Sequence, residues 1–433
     1  MSSFSISLSG LLADDQELSV LSNNLANLNT VGYKGETAQF QDLFYQEVGS
    51  NAGSNGAGDP VQVGAGAEVG STPTDFTQGT LDSTGLSTDM AIQGAGFLLS
   101  QHGNVTQYTR DGNLSTNAQG YLVTSDGSEV LGYPAVNGVA NSSGALGPLQ
   151  VNNGQSSPPQ ATSNVTLALN LNAGANADAT SAFSSEVAAY DSLGSAHVLT
   201  FTFTKTATNT WSYSVTIPAT DVGTGAAGNP VVLAQSTPGS STMPPLTFDA
   251  NGNLTSPNPK IPISLTLPTG DTLADGGSLS SKLAWNLVSS GGSAEITQVA
   301  NPSATSSTQQ DGYAAGSLTG FTVASNGTIQ GSFTNGQTVA LGQIALASFP
   351  NTQGLLRTGS NNYMASLASG LPTVGAPGSG GRGTISDGSL ENSNVDIATQ
   401  FAQLILAERG YQANSQAVKT EDQVLQTALS ILQ

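Results

Sequence analysis

The residues able to do chemistry are few. The chain has 433 residues, two histidines, no cysteine, and 29 acidic against 9 basic side chains. Without cysteine there are no thiolate nucleophiles, disulfides, zinc-thiolate sites or iron–sulfur clusters. His102 and His197 have no Asp, Glu or His group beside them at ligand spacing, so each is expected to be a surface or turn residue, and no metal site is expected. Two GxGxxG matches occur, at 223–228 (GTGAAG) and 378–383 (GSGGRG). A dinucleotide fingerprint needs a buried strand before it and a helix after it. The first match runs into Pro230 and the second lies in a Pro/Gly stretch, and 52 glycines make chance matches common. No GxSxG elbow frames a serine. Paired carboxylates for sugar hydrolysis would have to meet in space, which sequence does not test. No catalytic residue and no cofactor are expected.

A net charge of −20 repels phosphate backbones and anionic membranes, and the nine cations are scattered singly, so neither nucleic acid nor membrane is an expected partner. No run of 18 apolar residues could span a bilayer, and the start MSSFSISLSGLLADDQ lacks a basic region and an apolar core, so a cleaved secretory signal is not expected. The length suits roughly three domains.

The elements that must position any functional side chain differ between the ends and the middle. Phe4, Leu11, Leu18 and Leu25 recur every seven residues, with Leu21 and Leu28 three positions after the last two. This spacing predicts an amphipathic N-terminal helix. Ile397, Leu404, Tyr411, Val418, Leu425 and Leu432 hold one heptad position, widened by Phe401 and Leu429. Asn394 or Ser393 is placed to cap that helix, with Asp396 in its first turn. Stripes this narrow suit a coiled-coil seam, and the two ends could pack on each other within one chain. Such helices are marginal alone, so both ends are expected to lack fixed structure until a partner arrives.

The middle reads as β-structure. Six Asn-Gly and five Asp-Gly pairs punctuate short alternating runs, and 199–217 (LTFTFTKTATNTWSYSVTI) alternates on both sides of a Thr/Asn turn, as a half-buried hairpin does. The expected fold is mainly β with α-helical termini: two nested β-barrel or sandwich domains, plus a coiled-coil domain formed by both chain ends. The expected divisions are residues 1–48 (helix and stem), 49–75 (Gly-rich linker and extended stem), 76–155 (first piece of one β-domain), 156–305 (inserted β-domain), 306–375 (return piece) and 376–433 (linker and C-terminal helix). Flexible joints are expected at 49–58, 154–162 and 301–309, where Gly, Ser, Pro and Thr concentrate.

Some of these residues resemble a known family. Residues 25–34, LANLNTVGYK, resemble the N-terminal signature of bacterial flagellar rod and hook proteins, through Ala26, Asn27, Thr30, Gly32, Tyr33 and Lys34. The stretch from 389, with Ser393-Asn394-Val395-Asp396 and Arg409-Gly410-Tyr411-Gln412-Ala413-Asn414, is similar to that family's C-terminal helix. Phe76 to Gly79, 89–97, Tyr108 to Gly112 and 120–123 look like the first piece of its shared β-domain; 311–313, 335–337, 341–347 and 389–396 look like the return piece. Residues 190–194 (YDSLG) and 246–254 (LTFDANGNL) resemble the outer domain that the hook type has and shorter rod types lack. The chain departs from the family at Glu408, usually Gln, and at Gly410, usually Ala, where a helical glycine costs about 1 kcal/mol.

The resemblance implies a structural hook subunit polymerising head to tail into a curved tube that joins motor to filament. It implies an extracellular position next to the basal body, and self, distal rod, hook–filament junction, hook-cap and export-apparatus partners. The implied assembly residues are Leu11, Leu18, Leu21, Leu25, Ala26, Asn27, Thr30, Gly32, Tyr33, Lys34, Ile397, Phe401, Leu404, Arg409, Tyr411, Asn414, Val418, Leu425, Leu429 and Leu432. Tyr33 and Lys34 are expected where helix gives way to stem; read plainly, they are a helix-ending turn with a solvated lysine. Arg409 is expected to pair with Asp14, Asp15 or Glu17 of the other helix, or with a helix neighbour. A distal-rod or other axial protein is the nearest alternative, and an acidic β-rich adhesin or enzyme is one from another class. Missing cysteines and a missing signal fit a subunit exported unfolded through a channel.

Overall fold

In a computed structural model of the chain, residues 3–51, 59–152, 154–223, 228–238, 240, 243–289 and 291–431 are described. They form two compact units. The first comprises residues 1–153, 320–332 and 338–433, and the second 154–319 and 333–337. The chain is mainly β, and its two long helices, α1 (Ser3–Ala26) and α2 (Ile397–Ile431), pack on each other. Expected to be unstructured alone, both ends are continuous helices in the single chain.

In the first unit an antiparallel sheet runs in the order Thr338–Ile344, Glu129–Val136, Phe97–His102, Val105–Thr109, Asn362–Met364, Leu356–Gly359. Phe97, Leu99, Tyr108, Tyr133 and Tyr363 bury one face of it, and Phe76 and Phe349 meet Phe97 and Tyr108 edge-on at 5.5 and 4.8 Å. Burying one such ring, about 150–250 Å², stabilises by roughly 4–6 kcal/mol at about 25 cal/mol/Å². The Asn137-Gly138 pair turns with φ of 52° and 74°, as the Asn-Gly chemistry requires. Two short ladders fix the run-up to α2: Thr384–Asp387 pairs with Met90–Gln93, and Ser389–Glu391 pairs with Leu81–Ser83.

Of the stretch 49–58, read as a linker, residues 49–51 lie in a strand. Tyr45–Asn51 pairs with Asp59–Gly64, and beneath it Gln39–Asp42 pairs with Ala67–Ser71. Residues 52–58 lie outside the described residues. Gly49, Ser50 and Asn51 pair across to Val61, Pro60 and Asp59, so their linker-like composition lies in a strand.

The second unit contains two sheets around one core. In one, Asn164–Asn172 pairs in parallel with Ala284–Asn286 through its first residues and with Ile296–Val299 through its last, and antiparallel with Ala304–Gln310. The other is a meander of Phe183–Tyr190, Ala196–Ala207 and Thr210–Ile217, extended by Leu246–Phe248 and Val231–Gln235. The hairpin alternates as its sequence predicts, with Leu199, Phe201, Phe203, Trp211, Tyr213, Val215 and Ile217 buried. Trp285 sits edge-on to Phe201, Phe203 and Tyr213 at 5.2, 5.8 and 5.4 Å. The stretch 301–309, expected to be a joint, is largely strand. Asp311 to Tyr313, assigned from resemblance to the return piece, lie in this unit, where the Asp311 carboxylate accepts the Ser163 and Asn164 N–H groups at 2.7 and 2.9 Å. Asn335 to Gln337 also belong here. A Ser/Thr-rich edge strand looks like a linker because little of it is buried.

Candidate assembly site at the helix pair and its root

α1 ends in a turn written by its own polar side chains. The Asn27 amide donates to the Asn23 carbonyl at 2.9 Å, and the Thr30 hydroxyl donates to Asn27 Oδ1 at 3.1 Å. Gly32 follows with φ +70°, and its N–H donates to the Glu391 carbonyl at 2.7 Å. A Cβ at Gly32 would stand 2.7 Å from the Arg110 carbonyl carbon, so glycine is needed for both conformation and space. Tyr33 and Lys34 then turn inward, 3% and 0% exposed.

Lys34 is therefore no solvated lysine. Its Nζ lies 2.6 Å from Glu391 Oε1 and donates to the Thr77 carbonyl at 2.7 Å; Glu391 is itself fully buried. Arg110 Nη1 reaches Glu391 Oε2 at 3.3 Å, and its Nη2 donates to the Gly94 carbonyl at 2.7 Å. The Gly79 N–H completes the shell at 3.0 Å from Oε1. One anion thus holds two cations out of water. Burial pushes the Lys34 ammonium below its ordinary pKa against the opposing pull of Glu391, and Arg110 is lowered in the same way.

A second network lies beside the first. Asn24, 1% exposed in the last turn of α1, accepts the Tyr33 hydroxyl and the Glu36 N–H at 3.2 and 3.0 Å, and donates to the Glu36 carbonyl at 2.7 Å and to Gln400 Oε1 of α2 at 3.2 Å. The Arg357 guanidinium lies over the rings of Tyr33 and Tyr363 at 5.3 and 5.7 Å and pairs with Glu36 at 2.9 Å. Asn394 does not cap α2: its Oδ1 accepts the Gly35 N–H at 2.9 Å and its amide donates to the Asp75 carbonyl at 2.8 Å. The cap is Asp396, whose carboxylate accepts the Thr399 N–H at 2.7 Å; hydrogen bonds from Thr399 hold its pKa below the usual value.

The helices themselves meet along a seam displaced from the apolar heptads. The half-buried and buried positions Gln403, Ala407, Gly410, Asn414, Ala417 and Glu421 alternate four and three apart. Asn414 donates to Asp14 Oδ2 at 2.8 Å, and a Cβ on Gly410 would stand 3.3 Å from the same carboxylate. Gly410 therefore makes room for a close crossing. Arg409 is exposed and forms no ion pair among the described residues; Asp14 is engaged by Asn414 instead. Of the residues singled out on α1, Leu21 is buried, Leu11, Leu18 and Leu25 are half-buried, and Ala26 is exposed. On α2, Leu404 and Val418 flank the seam half-buried, whereas Ile397, Phe401, Tyr411 and Leu425 are 47, 45, 36 and 53% exposed. Leu432 lies outside the described residues.

Sequence reasoning missed Glu391, Arg110 and Arg357 as partners in this joint. The available signal was scarcity, since three of only nine cations converge here. It also missed His197. Expected at a surface or turn, this residue is buried in its strand among Asp191, Asp221 and Asp275. Asp191 lies six residues before it, which matches no ligand-spacing motif, and Asp221 and Asp275 lie 24 and 78 residues after it, too far to give a spacing signal. His102 is exposed, as expected.

Family models match four segments: Flagella basal body rod protein over 4–34, Flagellar hook protein FlgE/F/G D1 domain over 91–168, Flagellar basal body protein FlaE D2 domain over 156–313, and Flagellar basal body rod FlgEFG protein C-terminal over 386–431. The flagellar hook protein FlgE of Treponema pallidum is 34% identical, covering 98% of each chain. The chain belongs to the flagellar hook protein family. FlgE of Salmonella typhimurium is 32% identical over 99% of this chain and all of its own, and that of Escherichia coli is 31% identical over 99% of each. The family is a structural one, built on self-polymerisation at the basal body, in the extracellular part of the flagellum. Its rod-type terminal models cover α1 with the Lys34 turn at one end and the Glu391 strand with α2 at the other, the two pieces joined by the buried ion pair.

Proposed function

We propose that this hook-family subunit polymerises head to tail through the outward face of its helix pair, building a curved hollow tube that acts as a universal joint. The observation carrying this reading is the α2 stripe of Ile397, Phe401 and Ile405, four residues apart and 45–49% exposed, on a helix whose other face already holds α1. The polar, close-packed seam sets the subunit's own hairpin of helices, and the apolar stripe is left for neighbouring copies. In this reading the helix pairs line an inner tube, and the two β-units form outer layers. The distal rod, the junction proteins and the cap meet the ends of the same polymer, and the chain reaches its site through the flagellar export apparatus.

The test is electron microscopy under assembly conditions. Phe401→Glu with Ile405→Glu should leave the circular dichroism spectrum and thermal midpoint of the subunit unchanged while abolishing tubes. Tubes of normal length from that variant would refute the assignment.

A further inference from the structure

Four side chains of the second unit converge at its loop end. Asp191, fully buried, follows strand Phe183–Tyr190. Its Oδ1 accepts the N–H groups of Leu193 and Ser195 at 3.0 and 2.8 Å, which closes the turn, and its Oδ2 is buried without a partner. His197, 6% exposed, stands on strand Ala196–Ala207. Its Nδ1 is 3.0 Å from Asp221 Oδ2, whereas its Nε2 is buried without a hydrogen-bond partner, 3.8 Å from both Asp191 Oδ2 and Asp275 Oδ2. Asp275 Oδ1 is engaged by the Gly277 N–H at 2.9 Å, and its other oxygen faces the imidazole. Gly277 presents bare backbone: a Cβ there would collide with Asp191 Oδ2.

Asp221 accepts a hydrogen bond from Nδ1–H at 3.0 Å, and in the tautomer protonated at Nδ1 alone, Nε2 has a lone pair to offer an ion. Three acceptor atoms, from Asp191, His197 and Asp275, then lie within 4.8 Å of one another. A separation of 3.8 Å is too long for a shared proton, since hydrogen bonds span about 2.7–3.2 Å. It approaches the roughly 3.4 Å between two ligands held about 2.1 Å from one ion at the tetrahedral angle. A carboxylate behind a ligating imidazole is the usual outer support of such a site.

We propose that Asp191 Oδ2, His197 Nε2 and Asp275 Oδ2 bind one divalent transition-metal ion, Zn²⁺ or Mn²⁺, with Asp221 orienting the imidazole. One nitrogen and two carboxylate oxygens suit these ions, and water completes the coordination on the side where Asp275 is about one-third exposed. The ion ties three connections of the unit together: the turn after Tyr190, the loop holding Asp221 and the loop holding Asp275.

The full-length chain is stripped with chelator and titrated with Zn²⁺ by calorimetry and with Mn²⁺ by electron paramagnetic resonance. One ion per chain is expected, with a rise in thermal midpoint. Asp275→Asn and His197→Gln should each weaken binding at least tenfold, Asp221→Asn should weaken it roughly 10–100-fold, and His102→Gln should change nothing. Asp275 is the partly exposed ligand, so its variant tests the site even where His197→Gln fails to fold. No saturable binding by folded wild-type chain at millimolar metal would overturn the proposal. So would unweakened binding by Asp275→Asn, or an imidazole signal showing His197 doubly protonated at neutral pH in the presence of metal.

Discussion

Replacing Glu391 by Gln isolates the electrostatics of the joint while keeping its shape. Glutamine keeps the volume and can still accept the Gly79 N–H, but it removes the anion that sits 2.6 Å from Lys34 and 3.3 Å from Arg110, side chains 0 and 4% exposed. Stripping the partner from a buried ion pair costs about 3–5 kcal/mol. At a urea slope of about 3 kcal/mol/M, this lowers the midpoint by roughly 1–1.7 M. Both tryptophans, Trp211 and Trp285, lie in the second unit, so their fluorescence provides an internal control. The far-UV circular dichroism transition of the first unit should shift while the fluorescence transition stays in place. The defect should also depend on pH. Burial already holds the Lys34 pKa in the folded chain below its ordinary value of 10.5, and Glu391 opposes that shift; without Glu391 the folded pKa falls further. Between the folded and unfolded values the unfolded chain binds more protons, so stability rises with pH there, and the variant's window reaches further down. Raising pH from 7 to 9 should therefore recover part of the loss, the Arg110 part excepted. A midpoint shift under about 0.3 M, or equal movement of the tryptophan signal, would refute the reasoning.

Other consequences are open to direct measurement. Gly32→Ala forces a side chain into the left-handed region and against the Arg110 backbone, and should lower the stability of the first unit by at least about 1–3 kcal/mol in thermal unfolding. Arg357→Lys keeps the charge but loses the planar group over Tyr33 and Tyr363; a loss of about 1–2 kcal/mol is expected, and an unchanged thermal midpoint would show the stacking to be inert. Burial raises the phenols of Tyr213 and Tyr363 to about 12. A group with its folded pKa raised contributes stability that is complete below pH 10 and is lost as pH climbs toward 12. Tyrosinate absorbance should therefore show these two titrating late, together with unfolding, and Tyr213→Phe should move the alkaline midpoint of the second unit upward.

What the sequence revealed follows the range of its interactions. The hairpin from Leu199 to Ile217 was legible because alternation and a tight turn are local, and all its buried residues fall on one parity. The helices were legible for the same reason, but not their seam: leucine spacing marks an apolar stripe, whereas the pairing surface is made of Ala407, Gly410, Asn414 and Asp14, chosen for closeness and hydrogen bonding. Lys34 was found by resemblance and given a solvated alternative because its partner lies 357 residues away. His197 gives no local signal because Asp221 and Asp275 reach it from loops far along the chain. The stretch 301–309 misled in the opposite sense, since an edge strand with polar side chains on both faces has the composition of a linker.

The separation of Lys34 from Glu391 has a consequence for biosynthesis. At roughly 5–20 residues per second, the 357 residues between them take about 18–71 s to synthesise. During that interval the strand and helix that anchor the N-terminal helix do not yet exist. Residues 154–319 arrive as one contiguous stretch and can complete most of their own core while the chain is still growing. The terminal pieces can close only once the Glu391 strand and α2 have been made. Until then α1 and the Lys34 turn lack the partners that bury them.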